Sequence, residues 1–405
     1  MIKTVSFSQS WNRNGDRYYL HWPHHRDRAI VNLQDSSALH DSLADFTKWL
    51  DKGVDGFYLS SKYIAIGPDG IEEWSNAQNV FSAFRQAVND WKNQTESDKE
   101  ILLFTSMNLK DFTNQDKQGF EDLKIDLVEH GELNYVITDA MTEATFEEKG
   151  SGLTQFLYDT IREQLDVHET YNTTWPMWEV SGPTTSRLAT RMQSRDRAEL
   201  MTMLLLSLPG SVNTFYGEEL GMKDLSADAI SIQRLISITG NEAAKPEDFV
   251  MKAPMLWDAS KNGGFSSAEA TYLPIHPNHT EVNFETEYSD STSQLRLYKN
   301  LASLRRRDET FLFGNTSLGN KNATIFTLGR LAEIKGLNYV VALNFGDTSA
   351  VVNLKTLPFD VPDSVSVVEM TTNLDKEGRY TVRDSILAEK IELGALQGIV
   401  VKYKT

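Results

Sequence analysis

Between residues 36 and 217, short apolar runs alternate with amphipathic stretches, and this alternation limits the fold more than any other feature. Asp35 or Ser36 can cap a helix whose apolar positions Leu39, Leu43, Phe46 and Leu50 recur every three or four residues, and Gly53 ends it. The run VDGFYL (54–59) follows at once. A second helix places Val80, Phe81, Phe84, Val88 and Trp91 on one face, and ILLFTS (101–106) reads as a strand. NYVIT (134–138), WPMWEV (175–180) and SVNTFYG (211–217) read as further strands. Helices are expected at GLTQFLYDTIREQL (152–165) and AELMTMLLLSL (198–208), the second stopped by Pro209-Gly210. Such an alternation requires parallel βαβ units with a sheet covered on both faces. It fits either an open doubly wound sheet or part of a (β/α)8 barrel. No Gly-x-Gly-x-x-Gly follows a strand, which removes the usual reason to expect a dinucleotide fold.

After residue 222 the regularity stops, and a stretch rich in Asp, Asn, Ser and Gly runs to about residue 290. QLRLYKNLASLRRRDETF (294–311) then reads as a helix. From residue 312 the period changes to two, in ATIFTLGR, NYVVALNFG, AVVNL, VSVVEM and ALQGIVVKY, so an antiparallel β-sandwich is expected at the C-terminus.

A net charge of −17, spread without acidic blocks, opposes long-range attraction to nucleic acid or anionic lipid. The chain has no cysteine, so it offers no disulfide, thiolate metal site or cysteine nucleophile. No apolar run approaches the roughly 20 residues that span a bilayer, and the opening MIKTVSFSQSWNRNG lacks the apolar centre of a signal peptide. Five Asn-x-Ser/Thr sequons, at Asn93, Asn172, Asn278, Asn315 and Asn322, could each accept a glycan in a secreted context.

Five phrases go beyond pattern: YYLHWP (18–23), GVDGF (53–57), WPMWEVSGPTTSRLATR (175–191), LPGSVNTFYGEELGMKD (208–224) and APMLWDASKNGGFS (253–266). In this order they resemble the α-amylase superfamily of glycoside hydrolases (family 13-like), and VVALNFGDTS (340–349) resembles the opening of its C-terminal sandwich. The APMLWD…NGGFS phrase is similar to the maltase and oligo-glucosidase branch, which also holds the heavy chains of heteromeric amino-acid transporters of the rBAT type. The resemblance implies a (β/α)8 TIM barrel with a site at the C-terminal ends of its strands. It also implies that strands one to three lie before Met1. The expected organisation is the end of an inserted small domain at 1–30, barrel strands four to eight with their helices and loops at 31–311, and a β-sandwich at 312–405. A barrel incomplete at its N-terminus marks the sequence as a piece of a longer protein, with any membrane span or linking cysteine upstream.

The family's chemistry uses two carboxylates about 5 Å apart, with a third stabilising the distorted sugar. By position in the motifs, the nucleophile corresponds to Ser60 and its supporting arginine to Tyr58. The acid falls within Thr105 and Ser106, and the third carboxylate corresponds to Thr184, before Arg187. All three acids are absent. The resemblance therefore implies a pseudoenzyme with no cofactor: the accessory heavy chain of a transporter at the extracellular face of the plasma membrane, partnering a multispanning light chain. Two alternatives remain open, a carbohydrate-binding pseudoenzyme with Arg187 and Trp178 in its cleft, and an α-glucosidase.

Other candidates read more simply. His21, His24 and His25 lack helical spacing and a paired carboxylate, so they are expected to be solvated loop residues rather than metal ligands. Glu218-Glu219 reads as a structural element because adjacent side chains diverge. The run LRRRDE (304–309) reads as a solvated helix face, and Asp55, Asp258 and Asp347 as turn residues. Trp175, Trp178 and Trp257 could line a sugar cleft, although aromatic packing is the simpler reading.

Overall fold

A computed structural model describes residues 11–14, 17–22, 25–29, 31–59, 74–106, 127–130, 152–170, 175–242 and 244–404. The chain divides into two compact units, Met1–His130 with Gln164–Met177, and Gly131–Glu163 with Trp178–Thr405.

The first unit opens with an antiparallel sheet of β1 (Trp11–Asn14), β2 (Arg17–Trp22) and β3 (His25–Ala29). Helix α1 (Ser36–Asp51) begins where a cap is available: the Asp35 carboxylate accepts from the Ser37 and Ala38 N–H groups, each at 3.0 Å. It ends before Gly53, which takes φ +89°. Strand β4 (Gly56–Tyr58), helix α2 (Trp74–Thr95), β5 (Leu102–Ser106) and β6 (Leu127–His130) follow. Their three strands run parallel in the order β4-β5-β6. Position 56 has to be glycine, because a Cβ there would lie 2.9 Å from the Leu102 carbonyl oxygen of the paired strand. The apolar faces read from the sequence meet as expected. Phe46 and Leu50 of α1 pack with Val80, Phe81, Phe84 and Val88 of α2 over Ile101 and Leu103. Phe46 meets Phe84 edge to face at 4.9 Å. Trp91 is half-buried and donates its indole N–H to Asp51 at 2.9 Å. The strand expected at 134–138 lies outside the described residues. The described strand β6 was not anticipated, because LVEH carries only two apolar residues and gives no period.

Helix α3 (Gly152–Thr170) and strand β7 (Trp175–Glu179) each pass from one unit into the other along the chain. In the second unit the end of β7 neighbours β8 (Ser211–Asn213), and the connection is made by α4 (Leu188–Arg191) and α5 (Arg195–Ser207). The strand expected over 211–217 stops at Asn213, because the chain turns at Gly217, which takes φ +82°. Short helical turns and α6 (Ile232–Thr239) and α7 (Phe284–Ser289) fill the irregular region. The helix expected over 294–311 is two helices, α8 (Gln294–Arg307) and α9 (Glu309–Phe313). Asp308 between them is extended and caps α9 by accepting the Phe311 N–H at 3.1 Å.

The C-terminal strands are β9 (Asn315–Leu318), β10 (Ile325–Leu331), β11 (Leu337–Asn344), β12 (Ala350–Val352), β13 (Ser364–Met370), β14 (Ser385–Leu387), β15 (Ile391–Leu393) and β16 (Gly398–Lys404). Six form an antiparallel sheet in the order β14-β13-β16-β11-β10-β9, and β12 pairs with β15. Val340, Val365, Val367, Ile399 and Val401 of the sheet share one core with Val352, Ile391 and Leu393 of the ribbon, which gives the expected sandwich. Helix α10 (Thr372–Glu377) sits at the end of β13.

Buried charge joins these layers. Glu199 of α5 is fully buried and accepts from the Thr372 N–H at 2.9 Å and hydroxyl at 2.7 Å, with Arg195 at 3.5 Å. Arg305 was expected on a solvated face together with Arg306 and Arg307. Only its two neighbours are exposed. Its guanidinium is buried and donates to the carbonyls of Leu206 (2.9 Å), Leu208 (2.5 Å) and Gly210, satisfying the end of α5 and the turn into β8. Replacing Arg305 with Met, or Glu199 with Ala, is expected to lower unfolding stability by about 3 kcal/mol, since each change strands buried polar partners. Urea denaturation of the two variants beside Arg306→Met, an exposed control, checks this; equal midpoints for all three would remove the assigned role.

Candidate functional site

Of the positions matched by motif to the family's catalytic groups, Thr105 and Ser106 end β5 and Thr184 lies in a turn after β7. Tyr58 closes β4 and is 46% exposed, with its ring 5.3 Å from Phe104. Ser60 lies outside the described residues. Thr105 is fully buried, and its hydroxyl donates to the Leu59 carbonyl at 2.5 Å. The Leu59 N–H in turn donates to the Phe104 carbonyl at 2.8 Å. Thr105 therefore locks the β4 and β5 backbones together and presents no group to a substrate. Ser106 is the last residue of β5.

In the second unit, β7 leads into a turn closed by a bridge between Gly182 and Thr185, where Thr184 is exposed. Arg187 comes next, and it does not line an open cleft: it is 2% exposed. One guanidinium nitrogen donates to the Tyr216 carbonyl at 2.6 Å, and the plane lies 4.9 Å from the Phe215 ring and 4.7 Å from that of Tyr216. Its Nε and Nη2 have no hydrogen-bond partner among the described residues. Burial lowers its pKa, against the opposing pull of Tyr216 and Asp224. Trp178 has no exposed surface, and its indole N–H donates to the Pro209 carbonyl at 2.6 Å. Both residues considered for a sugar cleft are thus interior groups, removed from any ligand by the packing around them. Trp257 is 47% exposed and meets Phe284 edge to face at 5.9 Å.

Around Arg187 the loops are laced together. The Arg187 N–H donates to Asp224 at 2.9 Å, the Ser186 hydroxyl donates to the same carboxylate, and the Asp224 N–H donates to the Thr190 hydroxyl at 2.7 Å. Arg191 donates to the Ser186 and Val180 carbonyls, and burial brings its pKa down to about 10. Glu218 is buried and accepts the Ser181 hydroxyl, while Glu219 is half-buried. Burial pushes Glu218 up to about 7, opposed by the Ser181 hydrogen bond and the charge of Arg191. Glu179 accepts from Asn213 at 2.7 Å. Asp224 and Arg191 escaped the sequence reading, which had no signal for them beyond their place in the family phrases. The turn aspartates behave as expected: Asp258 accepts the Ser260 N–H at 2.8 Å, Asp55 meets Lys99 at 2.8 Å and Asp347 meets Arg197 at 3.0 Å. Of the sequons, Asn93, Asn315 and Asn322 are exposed, Asn278 is half-buried with its Oδ1 inside and unpartnered, and Asn172 is outside the described residues. No group of three or more His, Asp or Glu side chains suited to a metal occurs among the described residues.

A family model described as the catalytic domain of α-amylase matches residues 3–314. The amino acid transporter heavy chain SLC3A1 of Rattus norvegicus is 28% identical over 412 residues, covering 96% of this chain and 57% of its own length. Maltase A2 of Drosophila melanogaster is 24% identical over 429 residues, covering 97% of this chain and 69% of its own. The chain thus spans just over half of that heavy chain. Among solved structures, the trehalose-6-phosphate hydrolase of Bacillus licheniformis superposes with a TM-score of 0.71 at 17% identity, covering 98% of this chain and 74% of its own. A trehalulose synthase superposes with a TM-score of 0.72 at 18% identity, covering 97% and 74%. These likenesses show the fold, that of a (β/α)8 barrel followed by an antiparallel sheet.

The Glu218 carboxyl yields a pH-dependent prediction. Its folded pKa of about 7 lies above the ordinary 4.5, so the folded state holds the proton more tightly. Its contribution to stability is complete below pH 4.5 and is lost as pH rises through 7. Glu218→Gln should match the wild type near pH 4.5 and gain on it by on the order of 3 kcal/mol by neutral pH, then level off. Denaturation midpoints taken from pH 4.5 to 8 check this; a difference independent of pH would rule it out.

Proposed function

The chain belongs to the α-amylase catalytic-domain family, and from that premise we propose that it is a catalytically inactive member, the accessory ectodomain of a heteromeric amino-acid transporter. The reading rests on the motif match that puts Ser60, the Thr105 and Ser106 pair, and Thr184 where the family carries its three carboxylates. Serine and threonine hydroxyls without an adjacent base are poor nucleophiles at a glycosidic carbon. Loss of a single essential nucleophile removes on the order of 10⁶ in rate. The commitment of the Thr105 hydroxyl to the Leu59 carbonyl supports the same reading, because that group is spent on the strands.

The similarity to transporter heavy chains over 96% of this sequence supplies the class of partner, a multispanning light chain. In this role the protein stands at the extracellular face of the plasma membrane, with glycans on its exposed sequons. No described helix is long and apolar enough to cross a membrane. A residual sugar-binding role is disfavoured by the burial of Arg187 and Trp178.

Two measurements test the proposal. The purified protein is expected to show no release of glucose from maltose or from an aryl α-glucoside above the uncatalysed rate; turnover lost on mutating a residue at the strand ends would make it an enzyme. The full-length protein isolated from its native membranes should bring down a multispanning amino-acid transporter, released by reductant. Isolation without any such partner would sink the heavy-chain reading.

A further inference from the structure

Within the second unit a cavity of about 400 Å³ opens between α6 and the segment 269–275, a size suited to a small metabolite. Its floor is apolar. Ile230 and Leu273 are buried there at 5% and 1% exposure, with Ile275 packed beside them, and all three belong to the core beneath. Its wall is held by the backbone: the Thr271 hydroxyl donates to the Leu273 carbonyl at 2.5 Å, and the Tyr272 hydroxyl to the Lys252 carbonyl at 2.6 Å.

Two opposite charges line this cavity, Arg234 and Glu269. The Arg234 guanidinium is positioned by main-chain oxygens alone, through Nε to the Tyr272 carbonyl at 3.2 Å and Nη2 to the Thr271 carbonyl at 2.7 Å. Neither charge forms an ion pair with the other, or with anything else among the described residues. A fixed guanidinium with donors to spare is a carboxylate receptor, and a carboxylate with no cation is a receptor for an ammonium group. Both side chains are exposed and solvated; a neutral sugar would pair with neither charge, and a simple anion only with Arg234. We propose that this cavity binds a zwitterionic α-amino acid with an apolar side chain. Its carboxylate lies on Arg234, its ammonium on Glu269, and its side chain over Ile230, Leu273 and Ile275. This assignment rests on the cavity alone and stands or falls independently of the transporter reading.

The test is titration of the full chain with L-leucine, followed by saturation-transfer NMR, beside two analogues that each lack one charge. Leucinamide keeps the ammonium without the carboxylate, and N-acetylleucine keeps the carboxylate without the ammonium. Saturable leucine binding is expected, weakened about tenfold in each analogue and in each of Arg234→Gln and Glu269→Gln. The pairing should also be specific: Glu269→Gln lowers leucine binding to the level of N-acetylleucine and leaves N-acetylleucine itself unchanged. Glu269 has no protein partner, so this variant keeps its fold and decides the matter if Arg234→Gln unfolds. Absence of saturable leucine binding overturns the proposal. So does leucine binding left undiminished by Glu269→Gln, or N-acetylleucine binding as tight as leucine, which would describe a site for a simple anion.

Discussion

A helix with no exposed face has to satisfy its polar groups without water, and helix α5 is that helix here. From Ala198 to Ser207 every residue is buried. The side chains that make this possible are charged, Glu199 inside the helix and Arg305 at its end. Glu199 accepts the N–H and the hydroxyl of Thr372 at the start of α10, and so ties the sandwich to the helix. Arg305 takes up three carbonyls where α5 ends and β8 begins. Apolar packing alone would leave these groups unpaired in a low dielectric, at a cost comparable to a large part of a domain's net stability.

The same logic governs the loops after β7 and β8. In an active site, charged groups at the ends of strands stay open to a ligand. Here Arg187, Arg191, Asp224 and Glu218 are held by neighbouring backbone groups and serine hydroxyls. Arg187 lies beneath the rings of Phe215 and Tyr216, so its charge is spent on aromatic faces and one carbonyl. Glu218 carries a raised pKa without facing a cavity that could hold substrate. A perturbed carboxyl is often a sign of chemistry; in this protein its burial and its hydroxyl partner make it part of the scaffold.

The cavity beside α6 lies in the irregular region after β8, where the regular pattern of the chain has ended. Loops carried by a rigid framework are where binding sites accumulate, because their side chains answer to no packing period. Glu269 is of this kind, while Arg234 stands on α6 and is held by the Thr271 and Tyr272 carbonyls; neither is part of the apolar core beneath.

The amino-acid sequence by itself determined the βαβ alternation, a cap at Asp35 or Ser36, the faces of α1 and α2 and the switch to period two after residue 312, because these follow from local spacing. Where it had no period to read, it missed: β6 is too short to show one, and the break at Asp308 is a cap that only the turn of the chain reveals. Tertiary structure alone decided the fate of the polar residues. Arg305 sits in a run of three arginines and only its register on α8 puts it inside. Trp178 and Arg187 look like cleft residues by type, yet their neighbours bury them. Burial is set by what packs against a side chain from distant parts of the chain, and no local pattern carries that information.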